Sequence, residues 1–301
     1  MSTTSARTPN GINVWMLAAR PRTLWAAVAP VVLGTAIALA NGVFHAAAAV
    51  CALLCAILIQ VATNYSNDYH DFVKGADADG RKGPMRATQA GLVSPGSMRV
   101  AAILTFGVAF ILGLYLVYRG GWPILAIGVL SIISGIWYTA GRYSLAYLGI
   151  ADAFVLIFFG PVAVGGTYFV QALSIEASVV LAGVGPGALA VGILLVNNIR
   201  DINEDRAAGK HTLIVRIGRD AGVNLYAAMF VVAGVLPLLL VTAAGAPIGV
   251  LAACLVPIFG RAAVRRVRRE DAAAELNGML AKTSQLLFVY CLVLSAGWFI
   301  G

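Results

Sequence analysis

Long apolar runs separated by short polar segments make up most of the sequence. A transmembrane helix requires about 20 mostly apolar residues, and the chain contains several runs of about that length. They predict membrane-spanning helices at residues 23–41, 46–66, 97–118, 122–140, 148–171, 178–199, 220–243, 247–264 and 281–300. The pattern therefore predicts an all-α membrane protein built as a single bundle of nine transmembrane helices.

Composition agrees with a protein that is dissolved in a bilayer. Hydrophobic residues make up 60% of the chain and charged residues only 11%, whereas a soluble domain carries about 25% charged residues. A soluble protein of this composition would expose large apolar patches and aggregate. The net charge of +8 comes from basic residues in short loops, which is a topology signal. We therefore expect no nucleic-acid binding.

The distribution of basic residues predicts how the helices cross the membrane. Of the 21 lysines and arginines, all except Arg119 lie in the N-terminal segment, in the loops after helices 2, 4, 6 and 8, or at the borders of those loops. Basic loops stay in the cytoplasm. We therefore expect a cytoplasmic N-terminus, an external C-terminus and a location in the cell (inner) membrane. This arrangement requires an odd number of helices.

Two clusters of acidic and amide residues end the second and sixth predicted helices. Each cluster contains pairs of oxygen-bearing side chains four residues apart, which places them on one face of a helix. The pairs are Asn64 with Asp68, Asn67 with Asp71, Asn197 with Asp201, and Asp201 with Asp205. Hard cations such as Mg²⁺ take oxygen ligands, usually a few carboxylates together with waters and substrate phosphates.

The position of these clusters is electrostatically unfavourable. Both lie at the C-terminal ends of their helices, where the helix dipole is negative and disfavours carboxylates. Like charges and partial burial add to the cost. Divalent cations that bridge to a diphosphate would offset it, so we interpret the clusters as a Mg²⁺–diphosphate site. The alternative is a pair of solvated helix ends with local salt bridges.

The repetition of the acidic cluster also bears on domain organisation. It suggests two related four-helix halves followed by a ninth helix. We expect one membrane domain over residues 19–301, preceded by a flexible cytoplasmic tail at residues 1–18. The spacing of small residues permits close helix packing but specifies no oligomeric state.

Several segments together resemble the UbiA superfamily of intramembrane aromatic prenyltransferases. They are Ala19-Arg20-Pro21-Arg22-Thr23-Leu24, Asn67-Asp68-Tyr69-His70-Asp71 with its continuation to Asp77, Gly83-Pro84-Met85-Arg86, Gln89-Ala90-Gly91, Asp152 before Phe158-Phe159-Gly160, and Asn197 to Leu213. The acidic motifs carry most of the resemblance. The Asp-Phe-Val-Lys-Gly and Asn-Asn-Ile-Arg-Asp stretches favour the branch that prenylates 1,4-dihydroxy-2-naphthoate.

The resemblance implies nine helices around a central cavity and a Mg²⁺-dependent reaction in lipid. A polyprenyl diphosphate would alkylate 1,4-dihydroxy-2-naphthoate with loss of CO₂ and diphosphate, which gives demethylmenaquinone for menaquinone biosynthesis. Two alternatives remain open at this stage. One is a related enzyme with another aromatic acceptor, such as 4-hydroxybenzoate or homogentisate; the other is an ion-coupled transporter, although its acids would be expected along the bore.

Candidate residues follow from the clusters and the resemblance together. We expect Mg²⁺ to be bound by Asn67, Asp68, Asp71, Asp201 and Asp205, and the four aspartates to be catalytic. The predicted substrate-binding residues are Asn64, Lys74, Arg86, Tyr138, Asn198, Arg200 and Lys210. The cations among them suit diphosphate oxygens, and the Tyr138 ring could stabilise a carbocation. His70 is a candidate base.

The predicted topology is tested most directly at the C-terminus. A reporter that is active only outside the cytoplasm, fused after Gly301, is expected to be active, because an odd number of crossings follows a cytoplasmic N-terminus. A matched fusion within the basic loop after helix 6 is expected to be inactive. The reverse pattern would overturn the topology.

Overall fold

The computed structural model describes residues 11–75, 83 and 85–300, and these residues form helices and connecting turns with no strand. The N-terminal half contains α1 (Gly11–Ala19), α2 (Pro21–Ala40), α3 (Ala46–Val73), α4 (Pro95–Gly120), α5 (Trp122–Trp137), α6 (Leu145–Leu148) and α7 (Ala151–Phe158). The remainder contains α8 (Pro161–Ala172), α9 (Ala177–Ala182), α10 (Val184–Arg200), α11 (Ile202–Ala207), α12 (Leu213–Ile217), α13 (Arg219–Ala244), a 3₁₀ helix (Ile248–Phe259), α14 (Gly260–Arg269) and α15 (Ala273–Trp298).

Within the described residues, 8 helical segments are long and apolar enough to cross a membrane. They correspond to every predicted span except the fourth, at residues 122–140. There, α5 has only 16 residues and ends at Trp137, which gives a length of about 24 Å against a hydrocarbon core of about 30 Å. The backbone turns away at Gly141, whose φ is 76°. The carbonyls of Thr139 and Gly141 accept hydrogen bonds from Lys74.

Part of the segment predicted as a flexible tail is helical. Residues 11–18 belong to helix α1, while residues 1–10 lie outside the described part of the chain. Val14 and Ala18 are buried, and the ring of Trp15 meets that of Tyr65 edge to face at 5.6 Å. This apolar face of α1 packs on α3, which explains why the segment is ordered despite its polar flanks.

Two of the spanning segments are broken helices that meet at their breaks. α7 and α8 are separated at Gly160, and α9 and α10 at Gly183. A Cβ on Gly160 would lie 2.6 Å from the carbonyl oxygen of Gly183, and one on Gly183 would lie 2.6 Å from the backbone of Pro161. Backbone approaches backbone here, so only glycine fits.

The breaks bring α10 into the centre of the bundle. Small residues are frequent along it, and most of its side chains are buried against α7, α13 and α15. Its last turn carries Asn197, Asn198 and Arg200, and Asp201 follows directly. The chain continues into α11 with the backbone N–H of Asp205 donating to the carbonyl of Asp201 at 2.8 Å. The second acidic cluster therefore spans a bend between two helices, whereas the first lies wholly within α3.

Glycine at the crossing of the broken helices is expected to be required for stability. Replacing Gly187 by alanine would press a methyl group against the Leu156 carbonyl and the Gly160 backbone. We expect a loss of about 1–3 kcal/mol, as is typical of overpacking, seen as a lower melting temperature in detergent. The matched control is Gly107→Ala in α4, where a Cβ meets nothing within 4 Å. Equal melting of the two variants would contradict the crossing geometry.

Candidate functional site

A cavity of about 860 Å³ enters the bundle and contains polar residues at one end and apolar residues over the rest of its wall. The polar end is lined by residues from α3, α10 and α11 and from the loops beside them. The charged and amide side chains that line the cavity are Arg20, Gln60, Asn64, Asn67, Asp71, Arg86, Asn197, Asn198, Arg200, Asp201, Glu204, Asp205, Lys210 and Asn277. Both acidic clusters thus face the same space.

Asp71 lies at the centre of this polar end and is almost fully buried. One of its carboxylate oxygens contacts the Arg86 guanidinium at 2.5 Å, and the other lies 3.5 Å from the Lys210 ammonium. Arg86 also donates to the Asn67 carbonyl at 2.7 Å. A buried carboxylate needs such partners, because an isolated charge is strongly disfavoured in an apolar interior.

Asp201 is neutralised by its own neighbour in the chain. The Arg200 guanidinium donates to both carboxylate oxygens of Asp201, at 2.7 and 2.6 Å. The same guanidinium donates to the side-chain oxygens of Asn197, at 2.8 Å, and Asn277, at 2.6 Å. Since Asn277 belongs to α15, this network ties the last helix to the second acidic cluster.

Lys210 connects the two clusters. Its ammonium lies 3.5 Å from Asp71 on α3 and 3.8 Å from Asp205 on α11. The backbone N–H of Lys210 donates to the Asp205 carbonyl at 2.8 Å, which holds the turn that carries the lysine. Two acidic motifs that are far apart in sequence therefore share one cation.

Asp68 has a different environment from Asp71 and is 1% exposed. Its carboxylate oxygens accept the backbone N–H groups of Ala87 and Thr88, at 3.0 and 3.2 Å. These bonds hold the start of the turn at residues 87–91 against α3. Because Arg86 directly precedes this turn, Asp68 fixes the position from which Arg86 reaches Asp71.

The amide residues divide into those that face the cavity and those that brace its wall. Asn67 accepts a hydrogen bond from the Thr139 hydroxyl at 2.8 Å, and Asn198 is buried on the cavity wall. Asn64 donates to the Ala19 carbonyl at 2.8 Å and to the Thr23 hydroxyl at 3.2 Å. The predicted substrate ligand Asn64 therefore joins α3 to the junction of α1 and α2.

Lys74 binds protein carbonyls. Its ammonium donates to the carbonyls of Thr139 and Gly141, at 2.5 and 2.7 Å, and lies 4.3 Å from the centre of the Tyr147 ring. Burial lowers the pKa of Lys74; Asp71 opposes this shift and Lys210 adds to it. These contacts fasten the loop after α5 to the end of α3. They leave the predicted diphosphate contact of Lys74 to be tested.

Tyr138 lines the cavity, whereas His70 does not. Tyr138 follows α5 directly and lines the cavity, where it packs beside Leu145 and Phe154. His70 is bonded within its own helix, with its Nδ1 atom 2.8 Å from the Ser66 carbonyl, and is not among the residues that line the cavity. The position favours Tyr138 over His70 for contact with a substrate.

Several residues of this site had no role assigned from sequence. Arg20 lines the cavity, Thr139 positions Asn67, and Asn277 shares Arg200. Arg20 belongs to the segment from Ala19 to Leu24 that resembles the UbiA superfamily, so the sequence did indicate a functional role for this region. Thr139 and Asn277 reach the site only through the folding of distant segments, and no local pattern marks them.

The donors at the polar end are carboxylate and amide oxygens, which suit a hard divalent cation. Among the described residues, no three acidic, histidine or cysteine side chains are close enough to form a metal cage by themselves. Mg²⁺ is usually bound by one or two carboxylates together with substrate phosphates. The arrangement therefore fits a cation that arrives with a phosphorylated ligand.

Comparisons with known proteins place the chain among membrane prenyltransferases. A sequence model described as the UbiA prenyltransferase family matches residues 27–299. The 1,4-dihydroxy-2-naphthoate octaprenyltransferase of Haemophilus influenzae is 34% identical over 96% of this chain and 97% of its own length. The protein of the same name from Mycobacterium tuberculosis is 37% identical, over 93% and 95% of the two chains.

Solved structures share the fold at low sequence identity. A UbiA homolog from Aeropyrum pernix K1 aligns with a TM-score of 0.67 and 16% identity, over 90% of this chain and 96% of that one. A UbiA homolog from Archaeoglobus fulgidus, bound to GPP and Mg²⁺, aligns with a TM-score of 0.64 and 16% identity, over 94% and 99%. This likeness supports the helical architecture.

The observed contacts of Lys74 make a testable distinction between a structural and a ligand-binding role. Lys74→Met is expected to lower the melting temperature, because the carbonyl of the buried Thr139 loses its charged donor, at a cost of about 1–3 kcal/mol. Lys282→Met, at an exposed position on α15, removes the same charge and is expected to melt like the wild type. If Lys74→Met also melts like the wild type, the hydrogen bonds from Lys74 to the carbonyls of Thr139 and Gly141 contribute nothing measurable to stability.

Proposed function

The chain belongs to the UbiA prenyltransferase family and is a membrane-embedded prenyltransferase, and we propose that it transfers a polyprenyl group to 1,4-dihydroxy-2-naphthoate. The products would be the hydroquinone form of demethylmenaquinone, CO₂ and diphosphate. The names of the full-length relatives support the choice of acceptor. The observation that carries the proposal is the cavity, which combines paired acidic clusters at one end with an apolar wall over the rest.

The polar end suits the diphosphate of the donor. Arg86, Arg200 and Lys210 all reach it and are already held in place by carboxylates. A bound diphosphate would offer these cations oxygen acceptors, and charge-assisted bonds to such an anion are strong. Stabilising the leaving diphosphate lowers the barrier to breaking the bond between its oxygen and the allylic carbon.

Magnesium would complete this charge balance. We assign it to Asp71, Asp201 and Asp205, with the Asn67 side-chain oxygen and the remaining lone pairs of Asp68 as further ligands. When bound, Mg²⁺ would neutralise the negative charge that develops on the leaving diphosphate. Removal of divalent cations by a chelator is accordingly expected to stop turnover, and added Mg²⁺ is expected to restore it.

The apolar wall suits the prenyl chain and the cation formed from it. It is built by small and branched residues, among them Ala52, Ala56, Ile59, Ile127, Ile132, Val162 and Leu194. Such a lining keeps water from the allylic cation, which water would otherwise quench. The rings of Tyr138 and Phe158 also face the cavity and could stabilise the cation through their π faces.

The second half of the reaction takes place on the acceptor ring. The ring carbon that bears the carboxylate would attack the allylic cation and form the new carbon–carbon bond. Loss of CO₂ from that carbon returns its electron pair to the ring and restores the aromatic hydroquinone. We further propose that the polar end faces the cytoplasm of the inner membrane, as the loop charges predict.

Neutralising the carboxylates at the polar end tests this site. Asp71→Asn and Asp201→Asn are expected to reduce turnover by about 100-fold or more, the usual effect of losing one preorganised electrostatic group, while the protein still folds. Asp68→Asn should also lower the melting temperature, because an amide nitrogen cannot accept the N–H bond that the carboxylate accepts. The assay is diphosphate release together with mass spectrometry of the lipid product.

Asp220→Asn is the matched control, since Asp220 is an exposed carboxylate in the first turn of α13, outside the cavity lining. It is expected to retain wild-type turnover. Near-normal activity of both Asp71→Asn and Asp201→Asn would refute the paired-cluster site. A wild-type protein that prenylates 4-hydroxybenzoate or homogentisate in place of the naphthoate would refute the acceptor.

A further inference from the structure

Helix α14 carries a dense set of arginines at the end of an apolar segment. Gly260, Ala263 and Val267 form its buried face, which packs against the bundle. None of its 10 residues is acidic. Its basic residues are all exposed, and they are Arg261, Arg265, Arg266, Arg268 and Arg269. The helix therefore has one face in the bundle and a positively charged face outside it.

Two of these arginines are held by other parts of the chain. The Arg266 guanidinium donates two hydrogen bonds to one carboxylate oxygen of Glu275, at 3.0 and 3.1 Å. Arg268 donates to the side-chain oxygen of Asn224 at 2.7 Å. Glu275 lies in the first turn of α15, and Asn224 lies near the start of α13. Arg266 and Arg268 therefore fasten α14 to the bundle.

The guanidinium groups of Arg261, Arg265 and Arg269 have no hydrogen bond or ion pair within the described part of the chain. Their spacing of four residues aligns them along one side of the helix, where like charges repel one another. The helix dipole favours cations in the last turn, which accounts for Arg269 but not for the other two. Basic residues are expected at this border of the membrane, but that rule does not require them to be aligned. An anion along the stripe would offset the repulsion.

A recess of about 310 Å³ lies along this stripe and is lined by Ala262, Arg265, Arg266, Arg269 and Glu270. Ala262 contributes only a methyl group, which leaves room between the longer side chains. The Glu270 carboxylate lies 4.0 Å from Arg266, so Arg265 and Arg269 remain to meet a further anion. The planar guanidinium of arginine matches phosphate oxygens with two parallel hydrogen bonds.

The apolar segment before α14 places the recess at the level of lipid headgroups. The segment Ile248–Arg269 is long and apolar enough to cross a membrane. Its first 12 residues form the 3₁₀ helix, which rises about 2.0 Å per residue, or about 24 Å in all. The hydrocarbon core is about 30 Å thick, so the first turn of α14, at about 1.5 Å per residue, completes the crossing. Arg265 and Arg269 then lie beyond the core, among the headgroups.

The recess is at the same end of the bundle as the acidic clusters. The start of α15 contacts both: Glu275 binds Arg266 of α14, and Asn277, two residues later, binds Arg200 of the second cluster. A ligand in the recess would therefore stabilise a helix start that also supports the polar end of the main cavity.

We propose that Arg265 and Arg269 bind the headgroup phosphate of an anionic phospholipid, in the leaflet at the polar end of the bundle. The acyl chains of this lipid lie along the 3₁₀ helix, where Ile258 and Phe259 are exposed. A free phosphate shares the chemistry of the headgroup but lacks this second, apolar contact. The lipid site is distinct from the reaction site, because no residue of α14 lines the main cavity.

Native mass spectrometry of the purified protein with dioleoyl phosphatidylglycerol and dioleoyl phosphatidylcholine measures the preference for an anionic headgroup. The wild type is expected to prefer phosphatidylglycerol. The double variant Arg265→Gln/Arg269→Gln is expected to bind it about 25-fold more weakly, since each arginine near an anionic lipid surface contributes about fivefold. Its binding of phosphatidylcholine and its melting temperature in that lipid are expected to stay at wild-type values, because both side chains are exposed.

Arg99→Gln/Lys282→Gln is the matched control. Arg99 on α4 and Lys282 on α15 are exposed and line neither the main cavity nor the recess, and the double variant removes the same two positive charges. It is expected to keep the wild-type preference for phosphatidylglycerol. An equal loss in both double variants would assign the preference to the basic surface as a whole and overturn the site. A preference retained by Arg265→Gln/Arg269→Gln would overturn it as well.

A competition experiment distinguishes a lipid from a small anion. Glycerol 3-phosphate carries the phosphate without acyl chains, and an excess of it is expected to leave bound phosphatidylglycerol in place. Displacement of the lipid by glycerol 3-phosphate or by inorganic phosphate would overturn the lipid assignment in favour of a site for free phosphate. Because a ligand that binds the folded state stabilises it, phosphatidylglycerol should also raise the melting temperature of the wild type and of the control variant, but not that of Arg265→Gln/Arg269→Gln.

Discussion

The structure depends on pairing buried carboxylates with cations at one end of an apolar bundle. Asp71 and Asp201 are each nine-tenths buried or more, and an unpaired charge at such depth would be strongly destabilising. Arg86, Arg200 and Lys210 supply the opposite charge, and each is positioned by a different piece of the chain. The loop after α3, the end of α10 and the turn after α11 are therefore fixed relative to one another by electrostatics.

The same pairing explains how a site for anions can be built from acidic residues. In this structure the carboxylates hold the cations in place, so the cations need no large rearrangement to meet a phosphate group. Preorganisation of this kind is favourable for catalysis, because charged groups that are already fixed cost little to orient when the substrate arrives. Asp68 contributes to this preorganisation indirectly, because it fixes the turn that begins beside Arg86.

Hydrophobic pattern and loop charge predicted the all-helical fold and all but one of the long apolar helices. The fourth, at residues 122–140, is present as the 16-residue helix α5, and its crossing of the membrane stays a prediction. Lys74 binds the carbonyls of Thr139 and Gly141 beyond its end, a contact that hydropathy cannot foresee. The acidic clusters lie near helix ends, as the apolar runs predicted, and Asp71, Asp201 and Asp205 line one cavity, whereas Asp68 is not among its lining residues. Asp68 and Asn64 had the expected residue types, yet the turn and the helix junction that they brace come from other parts of the chain, which no local spacing reveals.

The two helix breaks at Gly160 and Gly183 have a consequence for how this protein can change over generations. Each break fits only because the other presents bare backbone. A side chain gained at one position would collide with the main chain beside the other. Because the obstructing atoms are backbone, a second substitution to a smaller residue could not relieve the collision. We therefore expect both glycines to be retained together among related proteins. Sequence variation in the bundle should accumulate on its lipid-facing helices instead.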